Sequence, residues 1–152
     1  MNWKVQIKLR LAFFGDKLDP IEFSKLINIH PANYWYKGDD IPIRKENGIE
    51  LKGIIKPKRK ETCWEFETDY TETYFIEDLV EPLLDKFEPV VNIIAEYINE
   101  NKLETQLSVI AECVVGESTP ALGANKRLIQ FLAKINGWID EDLYILEKPQ
   151  VK

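Results

Sequence analysis

The chain has 152 residues, of which 45% are hydrophobic and 30% charged, with a net charge of −6. That is enough apolar material for one domain with a real core, and the acidic balance argues against general nucleic-acid binding, which requires cations to displace condensed counterions from phosphates. No apolar run approaches the roughly 18 residues of a membrane span, and two cysteines without a C-x-x-C fit a reducing compartment.

The N-terminal "MNWKVQIKLRL" alternates apolar and charged residues, so it is expected to be a strand and not a signal peptide, with a cytoplasmic location as the default. From Trp3 through Val5, Ile7, Leu9, Leu11 and Phe13, the period of two places one face in a core and the other, with Lys4, Gln6, Lys8 and Arg10, in water. Gly15 and Asp16 break this strand. A helix is expected next over "DPIEFSKLINI", with Asp19 as N-cap, Pro20 in the first turn and Phe23, Leu26 and Ile27 on one face. It should end near Ile29, because His30 precedes Pro31.

The stretch "PANYWYKGDD" sets Tyr34, Trp35 and Tyr36 beside Lys37, Gly38, Asp39 and Asp40. Two readings compete. In one, the rings are buried anchors for a loop; in the other, Trp35 and Tyr36 stay partly exposed with Lys37, Asp39, Asp40 and Arg44 as a recognition patch rich in the residue types of binding hot spots. "IPIRKENGIELKGII" is expected to form a hairpin turning at Asn47-Gly48.

A basic stretch follows, with Lys52, Lys56, Lys58, Arg59 and Lys60 around Pro57. Charge is unevenly placed: residues 1–60 hold 13 Lys/Arg against 7 Asp/Glu, and residues 61–152 hold 7 against 19. The basic run, about 52–61, is expected to be a mobile solvated loop, with docking of an acidic partner as the alternative.

"ETCWEFETDY" is the next expected strand, with Trp64 and Phe66 inward and Cys63, Glu65 and Glu67 on the other face. Residues 74–87 carry a helical apolar stripe that continues in phase through Pro82, so a kinked helix is expected there, with a second helix starting at Pro89. "TQLSVIAECVV" reads as a strand. Asn125 is the expected cap of a last helix with Leu128, Phe131, Leu132 and Ile135 on one stripe, stopped at Asn136-Gly137. "WIDEDLYIL" is the expected final strand, with Ile139, Leu143 and Ile145 inward.

Strands with one polar face favour antiparallel pairing. The expectation is therefore a single α+β domain over residues 1–152: a mostly antiparallel sheet with about four helices packed on one face, a two-layer sandwich. Cys63 and Cys113 would then point to opposite faces, which precludes a disulfide. If the first and third strands are neighbours, Lys8 and Arg10 should pair with Glu65 and Glu67.

Taken together, "FFGDKLDP", "IHPANYWYKGDD", Trp64, the paired helices over 76–98, "LIQFLAKING" and "DEDLYIL" resemble the uncharacterised bacterial family known as domain of unknown function 4279. The resemblance spans roughly Lys4 to Leu146, with Pro82 and the basic insert before Trp64 as departures. It implies an α+β domain from a bacterium and supplies no catalytic residues. Some similar small domains lie beside secreted-toxin genes and look like immunity proteins.

Chemistry is thinly signalled. One histidine and two cysteines on opposite faces do not make a zinc site, so no metal and no cofactor are expected. His30 reads as a helix-end residue. "GESTPALGANK" lacks the spacing of a phosphate loop. The leading expectation is a small non-enzymatic binding protein whose partner is another protein, in the manner of a toxin-neutralising immunity protein. The alternatives are a carboxylate-dependent hydrolase with a site near "KGDD" and, more weakly, nucleic-acid contact through the basic loop.

Overall fold

A computed structural model describes residues 3–42 and 56–150. The strands are β1 (Gln6–Phe14), β2 (Asn33–Trp35), β3 (Cys63–Glu67), β4 (Thr71–Glu72), β5 (Glu104–Val114) and β6 (Gly137–Leu146). The helices are α1 (Pro20–Ile27), α2 (Glu77–Phe87), α3 (Val91–Asn101) and α4 (Lys126–Lys134), with a single 3-10 turn at Glu88–Val90 between α2 and α3. The protein is α+β with a mostly antiparallel six-stranded sheet ordered β2-β3-β1-β5-β6, and β4 pairs with the start of β1. Among the pairings of the described strands, only β5–β6 is parallel. Parallel neighbours need a crossover to return the chain to the same end, and α4 supplies it.

The alternation in β1 sets the rest. Ile7, Leu9, Leu11 and Phe13 are buried in the same cluster as Phe23 of α1, Leu83 and Phe87 of α2, Ile94 and Ile98 of α3, and Leu128 and Phe131 of α4. Opposite them on the sheet lie Leu107, Val109 and Ala111 of β5, in register with Leu11, Leu9 and Ile7.

Local signals act where the side chains require. Asp19 caps α1, its carboxylate accepting from the Ile21 and Glu22 amides, and Asn28 ends the helix in the left-handed region at φ 56°. The observed end is two residues before the expected Ile29 because Asn28 adopts that conformation at low cost. Asn125 caps α4 by accepting from the Leu128 amide, and Asn136 at φ 53° turns the chain into β6. α2 runs through Pro82, which is exposed and is not among the helix's buried residues. Pro82 has no N–H to donate, so the helix forgoes one backbone bond there.

Trp64 is fully buried and sits against Phe13, Phe23 and Phe87 at centroid distances of 5.6, 5.2 and 6.4 Å. Its indole Nε1–H donates to Ser24 Oγ at 2.8 Å, and the Ser24 hydroxyl donates to the Pro20 carbonyl at 2.9 Å. Burying an indole N–H without a partner would be costly, so this bond lets a tryptophan occupy the joint between α1 and the sheet. Tyr97 packs on Phe23 at 5.0 Å and its hydroxyl accepts from the Asp19 amide.

The final strand departs from expectation. Ile139 packs against the core, but Leu143 and Ile145 are 53% and 64% exposed. β6 lies at the end of the sheet, and α4 covers it only near its start. The expected hairpin at Asn47-Gly48 falls outside the described residues. Among the described residues no helix is long and apolar enough to cross a membrane.

Candidate functional site

After α1 the chain is drawn back to the sheet by buried Ile29 and by the Ala32 amide, which donates to the Glu65 carbonyl at 2.8 Å. β2 then pairs antiparallel with β3, setting Tyr34 opposite Trp64 and Trp35 opposite Cys63. Period-two geometry therefore sends Trp35 to the polar side of the sheet with Cys63, and Tyr34 to the opposite side. Tyr34 and Tyr36 are 49% and 40% exposed and meet edge to face at 6.2 Å.

The loop is fastened at many points. The Tyr36 amide donates to Asp39 Oδ2 at 2.8 Å, and the Asp39 amide returns to the Tyr36 carbonyl at 3.0 Å. Gly38 adopts φ 89°, which a side chain would strain. Residues 57–59 run alongside: Gly38 N–H donates to the Arg59 carbonyl, Arg59 N–H to the Asp39 carbonyl at 2.7 Å, and Ile41 N–H to the Pro57 carbonyl. Lys58 pairs with Asp40, holding its carboxyl below the usual carboxylate range. Lys37 donates from its backbone to Thr62 Oγ1 and from Nζ to Asp16 at 3.1 Å. The guanidinium carbon of Arg59 lies 3.8 Å from the centre of the half-buried Trp35 ring, a cation–π stack.

Neither competing reading of the loop is complete. The backbone is anchored, yet Tyr34 and Tyr36 remain in solvent and Trp35 is covered by a cation and not by the core. Lys58 and Arg59 belong to this assembly, bonded within the loop, while Lys56 and Lys60 are exposed. Arg44 and Lys52 lie outside the described residues.

Beside Trp35, the polar face of the sheet holds a cavity of about 220 Å3 bounded by Arg10, Phe14, Cys63, Glu65 and Ser108. The β1–β3 register makes its electrostatics. Arg10 stands opposite Glu67 and one step from Glu65. Arg10 Nε donates to Glu67 Oε1 at 2.8 Å and lies 3.7 Å from Glu65 Oε2, while Lys8 pairs with Glu67 at 2.9 Å. The expected pairing of Lys8 and Arg10 with Glu65 and Glu67 thus follows from direct strand adjacency.

The two carboxylates are pushed in opposite directions. Burial raises Glu65, only partly offset by Arg10 and by the Asn33 amide bond. Burial also works against ionised Glu67, but its bonds to Lys8 and Arg10 prevail and lower it. Cys63, buried and near Glu65 and Glu61, is pushed up to about 12, so it stays a neutral thiol at physiological pH. Cys113 is part of the core cluster on the other side of the sheet. A cavity of this size suits one side chain of a partner better than a drug-sized molecule.

Asp39 and Asp40 are committed to the loop's own bonds, and His30 is exposed at the end of α1. Among the described residues no group of three or more His, Cys, Asp or Glu is arranged to hold a metal ion. Two clusters escaped sequence reasoning. The Arg59–Trp35 stack joins residues 24 apart in sequence with no periodic signal between them. Arg127 gathers Glu81, Asp85 and Glu88, with Asp85 at 2.8 Å and Glu88 at 2.8 Å, and clamps α4 onto the α2 end. Three acids at i, i+4 and i+7, two on α2 and Glu88 just past its end, were the available signal for that clamp.

Neither a curated protein nor a solved structure matches the chain. The family pattern described as Domain of unknown function (DUF4279) matches residues 5–146 of the 152, nearly the whole length. The chain belongs to the DUF4279 family.

Proposed function

We propose that this chain is a small, non-enzymatic bacterial cytoplasmic protein that binds another protein through its aromatic loop, in the manner of a toxin-neutralising immunity protein. The reading takes the molecule as one domain of two layers, about four helices on one face of the sheet, with the partner meeting the β2 end. One observation carries it: Tyr34 and Tyr36 are held in solvent by a backbone pinned from both sides. Exposed aromatic rings on a pre-ordered support lose little entropy on binding and are typical interface anchors. The immunity-like part draws on the family resemblance to domains beside toxin genes.

The hydrolase alternative near "KGDD" has less support, because Asp39 bonds the Tyr36 amide and Asp40 pairs with Lys58. Nucleic-acid contact through the basic run is weakened in the same way, since Lys58 and Arg59 face Asp40 and Trp35. The test is affinity capture from the native host with wild-type bait and with a Tyr34→Ala/Tyr36→Ala double variant. The reading expects a defined protein that co-purifies stoichiometrically with wild type and is lost with the variant. Identical captures by both baits, or none by either, overturn it.

A further inference from the structure

β6 combines features that do not belong together on an ordinary edge strand. It runs for ten residues, is paired with β5 on one side, and has no neighbour on the other among the described residues. Alternate residues therefore turn their backbone N–H and C=O groups outward unpaired. Natural edges of this length are blunted by charge, bulges or a covering element. Charge is present, as Asp140, Glu141 and Asp142, and none of the three takes part in a salt bridge among the described residues. Apolar surface, however, flanks that charge on both faces. Leu143 and Ile145, in register with Ala111 and Cys113, are 53% and 64% exposed on the helix side. Trp138 and Tyr144, in register with Gln106 and Glu112, are 41% and 55% exposed on the polar side.

A purely protective edge would keep the acids and discard the exposed leucine, isoleucine and rings. The strand's far end is nonetheless held in place, since the Val115 amide donates to the Leu146 carbonyl at 3.0 Å. The edge is thus an ordered template, with backbone groups that no other described strand pairs, a central negative charge and apolar side-chain seats on both faces.

We propose that the free edge of β6 is a docking site for an extended, basic segment of a partner protein, which adds to the sheet as a further strand. Backbone bonds to β6 give the pairing, lysine or arginine side chains meet Asp140, Glu141 and Asp142, and interleaved apolar residues cover Leu143, Tyr144 and Ile145. A second copy of this chain fits less well: antiparallel pairing centred on the acidic triad would oppose like charges across the junction, which is destabilising. The site lies at the opposite end of the sheet from β2 and does not depend on the aromatic loop.

The test uses the full chain and two acetylated, amidated ten-residue peptides, one alternating lysine with valine and the other glutamate with valine, each carrying a fluorophore for anisotropy. The basic peptide is expected to bind with an affinity that falls as salt rises, and to protect β6 amides from hydrogen exchange. The acidic peptide is expected to bind at least tenfold more weakly. Asp140→Asn/Glu141→Gln, changes at two exposed positions, should weaken the basic peptide at least tenfold, as should Leu143→Ser/Ile145→Ser. Tyr34→Ala/Tyr36→Ala should leave it unchanged, which separates this site from the aromatic loop. Absence of binding by the basic peptide, equal binding of both peptides, indifference to the β6 variants, or protection elsewhere in the chain overturns the proposal. A concentration-dependent dimer that buries β6 overturns it in favour of a second copy.

Discussion

The bond between Trp64 and Ser24 gives the sharpest test of how the fold is held. Ser24→Ala leaves the indole N–H with no partner in a fully buried position. An unsatisfied buried donor costs about 1–3 kcal/mol. Alanine recovers roughly 0.5 kcal/mol of helix propensity over serine within α1. The expected net loss is about 1–2 kcal/mol. With a urea dependence of about 2 kcal/mol per molar, the midpoint should fall by about 0.5–1 M. For a chain of this length the melting temperature should fall by roughly 3–6 °C. Circular dichroism and tryptophan fluorescence against urea measure both proteins. The decisive comparison is Ser24→Ala in a Trp64→Phe background, where no indole donor exists. There the same substitution should be neutral or slightly stabilising, giving a coupling of about 1–2 kcal/mol in the double-mutant cycle. An equal cost in both backgrounds would refute the bond's role and reduce Ser24 to its hydroxyl bond with the Pro20 carbonyl or to packing.

Four further outcomes follow from the electrostatics. Because folding raises Glu65, stability from this group is greatest below the ordinary glutamate range and declines as pH rises through and above it; Glu65→Gln should therefore gain on wild type from pH 4 to pH 7 in urea titrations, and a gain independent of pH counts against burial as the cause. Folding lowers Glu67, so the cost of Glu67→Gln should be full at neutral pH and fade as pH falls below the ordinary range; a constant cost would show that the Lys8 and Arg10 bonds contribute nothing. Cys63, with its thiol pushed up to about 12, should resist a disulfide reagent at pH 7.5 until urea unfolds the chain, and rapid native labelling of Cys63 in a Cys113→Ala variant would contradict its buried, neutral state. Arg127→Gln should lower the melting temperature at low salt and less so in 1 M NaCl, since Glu81, Asp85 and Glu88 lose their shared cation. An unchanged melting temperature at low salt would make that cluster ornamental.

What was legible along the chain was everything with a short-range cause. The alternation from Val5 to Phe13 specified a strand with one buried face, because side chains of a strand alternate regardless of neighbours. Asp19 and Asn125 announced their helices because a cap acts on amides two or three residues away. The opposite directions of Cys63 and Cys113 followed from the same parity. Pairings across long sequence separations were not legible. Trp64 could be marked as inward, but its partner Ser24 is 40 residues away. Trp35 could be marked as aromatic, but only the approach of residues 57–59 shows that Arg59 covers it. The clearest division is in β6. Ile139, Leu143 and Ile145 share one parity in a strand, so Leu143 and Ile145 are expected inward with Ile139; yet parity decides only that residues share a face, and Glu141 has the same parity. Whether that face meets a helix depends on where the strand falls in the sheet, and β6 falls at an end where Ile139 packs on the core while Leu143 and Ile145 stay exposed.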